Sequence, residues 1–183
     1  MRLIGAVAGL IDRINEWIGR GVSWLAIILV LVQFVVVLMR YVFGIGSIPM
    51  QESLIYLHAT LFLGAAAYTL KHDGHVRVDV FYRGASARAK AWVDLLGSLI
   101  FLLPVMWIVW STGWPYITSS WAIREGSTET AGIQAVFLLK TMILVFAVLV
   151  ALQGVSTIIH CLLRLTGREA PPAEPSGEDA ERI

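Results

Sequence analysis

Charge is what this sequence has least of. Of 183 residues only 15% are charged while 57% are hydrophobic, and the mean hydropathy is +0.75. Soluble domains carry about a quarter charged residues, so the composition points away from a water-soluble domain. Neither sign of charge is in excess. Lys plus Arg number 14 and Asp plus Glu 13, a formal charge of +1. That excludes the basic surface a nucleic-acid binder needs, as well as a solvating acidic chain. Cys161 is the single cysteine, which excludes an internal disulfide and any multi-cysteine zinc or iron–sulfur centre. An apolar leader is missing too. Asp12, Arg13 and Glu16 interrupt the stretch where a cleavable signal would have its apolar region, so the first span is expected to target the chain itself.

Long uncharged runs are what the sequence does have, at 21–39, 53–70, 95–123 and 141–163. A hydrocarbon core of about 30 Å is crossed by about 20 helical residues. Lipid leaves helices as the workable form for such runs. The expected fold is an all-α membrane protein with four transmembrane helices in a domain of 21–165. The spans are placed at about 21–40, 53–70, 95–114 and 135–163. The third run is too long for one span. Pro104 and Pro115 offer places to kink or stop it, and the polar stretch 114–121 reads as an interfacial exit.

Residues 1–20 alternate at helical spacing. Leu3, Ile4, Val7, Leu10, Ile11, Ile14, Trp17 and Ile18 lie on one face, with Arg2, Asp12, Arg13, Asn15, Glu16 and Arg20 on the other. The pattern predicts an amphipathic helix in the membrane interface; the alternative is an N-terminal extension of span one. The tail 166–183, with Pro171, Pro172 and Pro175 and no apolar period, is expected to be disordered. Basic residues concentrate in the N-terminal segment, in the loop between spans two and three, and in the tail. The other side has only Arg40, Arg124 and Lys140. This bias predicts both termini in the cytoplasm.

Few polar residues fall at membrane depth. Gln33, His58 and Gln153 read as interhelical hydrogen-bonding groups. Bis-histidine haem needs two histidines at matching depth, and His58 and His160 are expected near opposite sides. No catalytic, cofactor-binding or metal-ligating constellation stands out, so none is expected. Arg40 and Glu52 flank the short first loop and are expected to pair. Lys140, about 10 Å into an apolar segment starting near Ile133, should snorkel or seek an acid among Glu52, Glu125 and Glu129. Trp107, Trp110 and Trp114 form an i, i+3, i+7 stripe, which predicts a face packed on protein, within the bundle or on a partner. Gly64 with Ala65, Ala66 and Ala67 gives span two a small patch for close helix approach.

The segment 40–82 carries a pattern. "RYVFG" closes span one, "QE" opens span two, and "LFLGAAAYTLKHDGHVRVDVFY" leads into the following loop. It continues with "WVDLLGSLIFLLP", with "SW" and "REGSTETAG" in the next loop, then Lys140 and "LQG" at 152–154. Over roughly 22–165 this resembles the small membrane subunit, DctQ-like, of tripartite ATP-independent periplasmic (TRAP) transporters. Its "REGSTETAG" loop most resembles the branch labelled mannitol/chloroaromatic-type. The resemblance implies a non-enzymatic subunit of the bacterial inner membrane, packed against the scaffold of a large elevator-type subunit. The large subunit would carry sodium and an organic acid anion delivered by a periplasmic binding protein. Carried residue by residue, the family pattern falls on Glu52, His75, Arg77, Asp79, Glu125 and Lys140. Alternation with Val76, Val78 and Val80 would put His75, Arg77 and Asp79 on one side of an extended strip pinning the loop to the membrane surface or the large subunit. Two other functions compete: a membrane-anchor cytochrome of an oxidoreductase, and a self-sufficient small transporter. The second would usually carry an acid in mid-membrane, where none is present.

Overall fold

A computed structural model describes residues 2–76, 82 and 84–168. Every element in it is helical: α1 (Arg2–Tyr41), α2 (Ile48–Lys71), α3 (Ala87–Gly97), a π-helical turn (Ser98–Leu102), α4 (Leu103–Ala122) and α5 (Val136–Leu165). Four helices are long and apolar enough to cross a membrane, α3, the π turn and α4 counting as one run of 36 residues. The expected all-α, four-span architecture is the one observed.

α1 is a single helix of 40 residues, about 60 Å at 1.5 Å per residue and twice the hydrocarbon thickness. No proline interrupts it, so the amphipathic segment from Arg2 to Arg20 and the first span form one continuous helix, as in the extension alternative. Its first half is turned with Ile4, Val7, Leu10, Ile14 and Trp17 outward, while Ala8, Ile11 and Asn15 are buried. At its end Gly44 takes φ +67, and the Ile45 N–H returns to the Met39 carbonyl at 3.0 Å. A side chain would strain that turn.

α2 carries Pro49 in its first turn and runs back along α1. The pairing is close because glycines face side chains. A Cβ on Gly64 would sit 3.2 Å from Val22 Cγ1, and one on Gly19 would overlap the Tyr68 ring. Gly19→Ala should therefore cost about 1–3 kcal/mol, the usual range for overpacking. Gly9→Ala, where nothing lies within 4 Å, should be neutral or slightly stabilising through helix propensity. Melting temperatures of the two solubilised variants check this; equal values would refute the close crossing.

The third span departs from expectation at both prolines. Pro104 lacks the N–H its helix would use, and just before it the Leu103 N–H bonds to the Ser98 carbonyl, i to i−5. The wider turn relieves the clash between a proline ring and the preceding turn without ending the helix. Pro115 lies inside α4, which continues to Ala122. The segment 114–121, read as an exit, is thus still helical.

α5 is the central helix, in contact with α1, α2, α3 and α4. The core joins Ala147, Leu149 and Val150 of α5 to Ala67 of α2 and Met106 of α4. Ala67 is fully buried, so the small-residue patch does bring helices together. Gly5 and Ala8 of α1 lie beside Leu163 and Ser156 of α5, which places both ends of the helical chain at one end of the bundle. That end is called terminal below, and the opposite one far.

Candidate functional site

The polar side chains gather in two clusters, one at each end. At the far end the first is built on Glu52, in the second turn of α2. Its carboxylate accepts from the Ser127 hydroxyl and, at 2.6 Å, from the Ile133 backbone N–H. One turn on, the Tyr56 hydroxyl reaches the Ile133 carbonyl at 3.4 Å. Ser127 in turn accepts from the Glu129 N–H at 3.0 Å. Gly132 packs so tightly on Ser127 and Glu52 that a Cβ would overlap both. Glu52 is the peg around which the loop before α5 is folded, and it is not the ion-pair partner of Arg40. Arg40 is exposed on the last turn of α1. The loop's backbone donor and hydroxyl meet the Glu52 carboxylate instead, because they reach it at hydrogen-bond distance.

Lys140, in the second turn of α5, pairs with Glu125, one of the acids expected for it. Its ammonium also lies 4.1 Å from the centre of the Tyr116 ring. Glu125 additionally accepts from Ser120 at 2.6 Å, and Trp121 donates to Thr141 at 2.9 Å. The Lys140 hydrogen bond, followed by that from Ser120, holds the Glu125 carboxyl below its ordinary range. With the folded value depressed, the contribution is complete above the unfolded value of about 4.3 and fades as pH falls through the folded one. Acid titration should loosen the wild-type loop below about pH 4, while Glu125→Gln should show no such step. Hydrogen exchange of loop amides against pH measures the difference.

The terminal-end cluster was not legible as a unit. Asp12 and Asn15 of α1 face Gln153, Ser156 and His160 of α5. Asn15 Nδ2 donates to Gln153 Oε1 at 2.8 Å, and Gln153 Nε2 to Asp12 Oδ1 at 3.0 Å. The Ser156 hydroxyl reaches Asp12 Oδ1 at 2.6 Å, and His160 Nε2 lies 2.9 Å from Asp12 Oδ2. Asn15 is only 1% exposed and Ser156 fully buried. Beside this, Glu16 ties α1 to the end of α2, with Lys71 and His72 both at 2.8 Å and Arg20 at 3.4 Å.

The remaining expected residues divide. His75 turns back to the Ala66 carbonyl at 3.2 Å; Arg77 and Asp79 lie outside the described residues. Trp110 is half-buried against the core and stacks on Trp114 at 5.4 Å. Trp107 and Trp114 are 68% and 50% exposed, so the stripe looks out of the bundle. His58 is exposed, its ring tilted against Phe62 with centroids 4.3 Å apart. Gln33 is exposed too; of the two expected glutamines, only Gln153 is buried between helices. Among the described residues no group of three or more His, Cys, Asp or Glu could hold a metal.

This arrangement braces helices at both ends and leaves the middle apolar, which suits a membrane subunit with a structural task. The sequence pattern of the DctQ component of tripartite ATP-independent periplasmic transporters matches residues 29–164. No curated protein and no solved structure matches the chain. The match takes in α2, α3 and α4 whole, α5 as far as Arg164, the last third of α1, and both clusters except the residues that α1 contributes before Leu29. The chain belongs to the DctQ component family, the small multi-pass membrane subunit of these transporters and a family of transport components.

Proposed function

We propose that the subunit stiffens the scaffold of the large TRAP subunit in the bacterial inner membrane, with both termini cytoplasmic. The large subunit then moves a sodium-coupled organic acid anion handed over by a periplasmic binding protein. The observation that carries this reading is the separation of polar and apolar surface. Hydrogen-bonded charges lock the two ends, while Trp107, Trp114 and the neighbouring apolar residues are left outward in mid-bundle. A carrier needs a polar path through its centre; a brace needs rigid ends and an apolar side to pack.

In the same reading Trp107 and Trp114 pack on the large subunit, and the Glu52–Glu125–Lys140 rim holds the periplasmic loop in shape. Arg40 sits at the periplasmic headgroups. The outward stripe of Ile4, Val7, Leu10, Ile14 and Trp17 keeps the first half of α1 in contact with the cytoplasmic interface. The strip His75, Arg77 and Asp79 pins the loop after α2, a role supported by the bond from His75 back to α2. The likeness of 124–132 to the mannitol/chloroaromatic-type branch supports assigning the chain to that branch.

Co-purification tests the proposal. A tag on the C-terminus, mild detergent extraction from the native host and mass spectrometry of the sized complex should yield a larger multi-spanning protein in stoichiometric amount. A lone homo-oligomer, or a preparation coloured by haem, would sink it.

A further inference from the structure

At the terminal end the helices do not close completely. A cavity of about 780 Å³ lies between α3 and the ends of α2 and α5. Its size is that of a small-molecule site, and its lining is graded. The end of α2 and the end of α5 contribute Lys71 and Arg164; the turn after α2 and the later part of α3 contribute Asp73 and Asp94; Asp12 and His160, which also line it, are bonded to each other. Further along the same continuous helix, Phe101 forms an apolar wall, seven residues and so about 10 Å beyond Asp94. Phe101 is 70% exposed and Val93 56%, so the wall opens sideways, toward the membrane.

We propose that this cavity binds the phosphoethanolamine headgroup of a membrane phospholipid, one acyl chain lying along Phe101. The charge pattern selects that class. Two cations suit a phosphate, and two carboxylates suit an ammonium carrying N–H donors. Lys71 gives one of its three donors to Glu16, which leaves it two for the phosphate. A phosphatidylglycerol has no cation for the aspartates. A phosphatidylcholine has a cation without an N–H. The position of the cavity at the helix ends is where headgroups meet the bundle, and the polar-to-apolar gradient matches the orientation of a lipid in the bilayer.

Native mass spectrometry of the delipidated full chain tests this with dioleoyl phosphatidylethanolamine, phosphatidylcholine, phosphatidylglycerol and soluble glycerophosphoethanolamine. The ethanolamine lipid should be retained at one per chain, about tenfold more tightly than the other two lipids. Two variants locate the site. Gly97 lines the cavity and a Cβ there meets nothing within 4 Å, so a side chain can leave the backbone at this point, and Gly97→Phe should obstruct the cavity and abolish the preference. Asp73 has φ 54, a conformation asparagine tolerates, so Asp73→Asn removes charge while keeping the turn. It should bring the ethanolamine lipid down toward the choline one. Equal retention of all three lipids, or a preference that survives both variants, overturns the proposal. So does retention of the soluble headgroup without the lipid.

Discussion

Asp12→Ala is expected to be the most damaging single side-chain truncation in the chain. One carboxylate holds the Gln153 amide, the Ser156 hydroxyl and the His160 ring, and two of those residues are buried. Removing it takes one bond from each of three side chains at once, of which Ser156 keeps the Ala8 carbonyl at 3.3 Å. Leaving a buried polar group unpaired costs about 1–3 kcal/mol, so the loss should reach about 3 kcal/mol. For a chain of this size that is a fall in melting temperature of about 5–10 °C. Asp12→Asn separates acceptor from charge. Its oxygen can still take the Ser156 and Gln153 bonds, so its cost should be about 1 kcal/mol, mainly at His160. Arg13→Ala, next along the helix and exposed, should stay near wild type. Thermal unfolding of the solubilised variants gives the order; an Asp12→Ala midpoint equal to that of Arg13→Ala would remove the network from any account of how α1 is held.

The consequence for architecture is that α1 does not depend on lipid alone for its position. Its apolar stripe faces out, and from its polar face Asp12 and Asn15 are bonded to α5 while Arg13 and Arg20 stay exposed. This explains what was legible in the sequence. Hydropathy fixes the spans because lipid punishes every unpaired backbone group, so four runs meant four helices. The wheel of residues 1–20 puts Ile4, Val7, Leu10, Ile14 and Trp17 on one face, and these do look outward, but Ile11 of that face is buried beside Asn15, and Asp12 and Asn15 turn in to α5. The partners Gln153, Ser156 and His160 recur at i, i+3 and i+7 on α5, a polar stripe hidden in an apolar helix. That periodicity was the available signal. That Lys140 meets an acid or snorkels was legible because an ammonium in an apolar segment does one or the other, but the choice of Glu125 over Glu52 and Glu129 belongs to the fold. The role of Glu52 was not, since its partners are a hydroxyl and a backbone N–H, groups every loop possesses. Sequence proximity favoured Arg40, while the fold brought a loop some eighty positions away.

That long-range contact yields the second large effect. Glu52→Ala should free the Ile133 N–H and the Ser127 hydroxyl together, and with them the loop that Gly126 and Gly132 allow to fold so tightly. At about 1–2 kcal/mol for the lost bonds, the Ile133 amide should exchange with solvent about ten- to thirtyfold faster. Glu52→Gln discriminates between charge and hydrogen-bond geometry. A glutamine oxygen can accept from Ile133 while its amide donates to the Ser127 oxygen, the hydroxyl turning to suit. Both contacts then survive, and exchange should stay within about threefold of wild type. Were the carboxylate needed as an ion-pair partner, Glu52→Gln would behave like Glu52→Ala, and Arg40→Gln would match them both. The geometry predicts instead that Arg40→Gln leaves Ile133 protected, because the group that closes this loop is an acceptor and its charge is incidental.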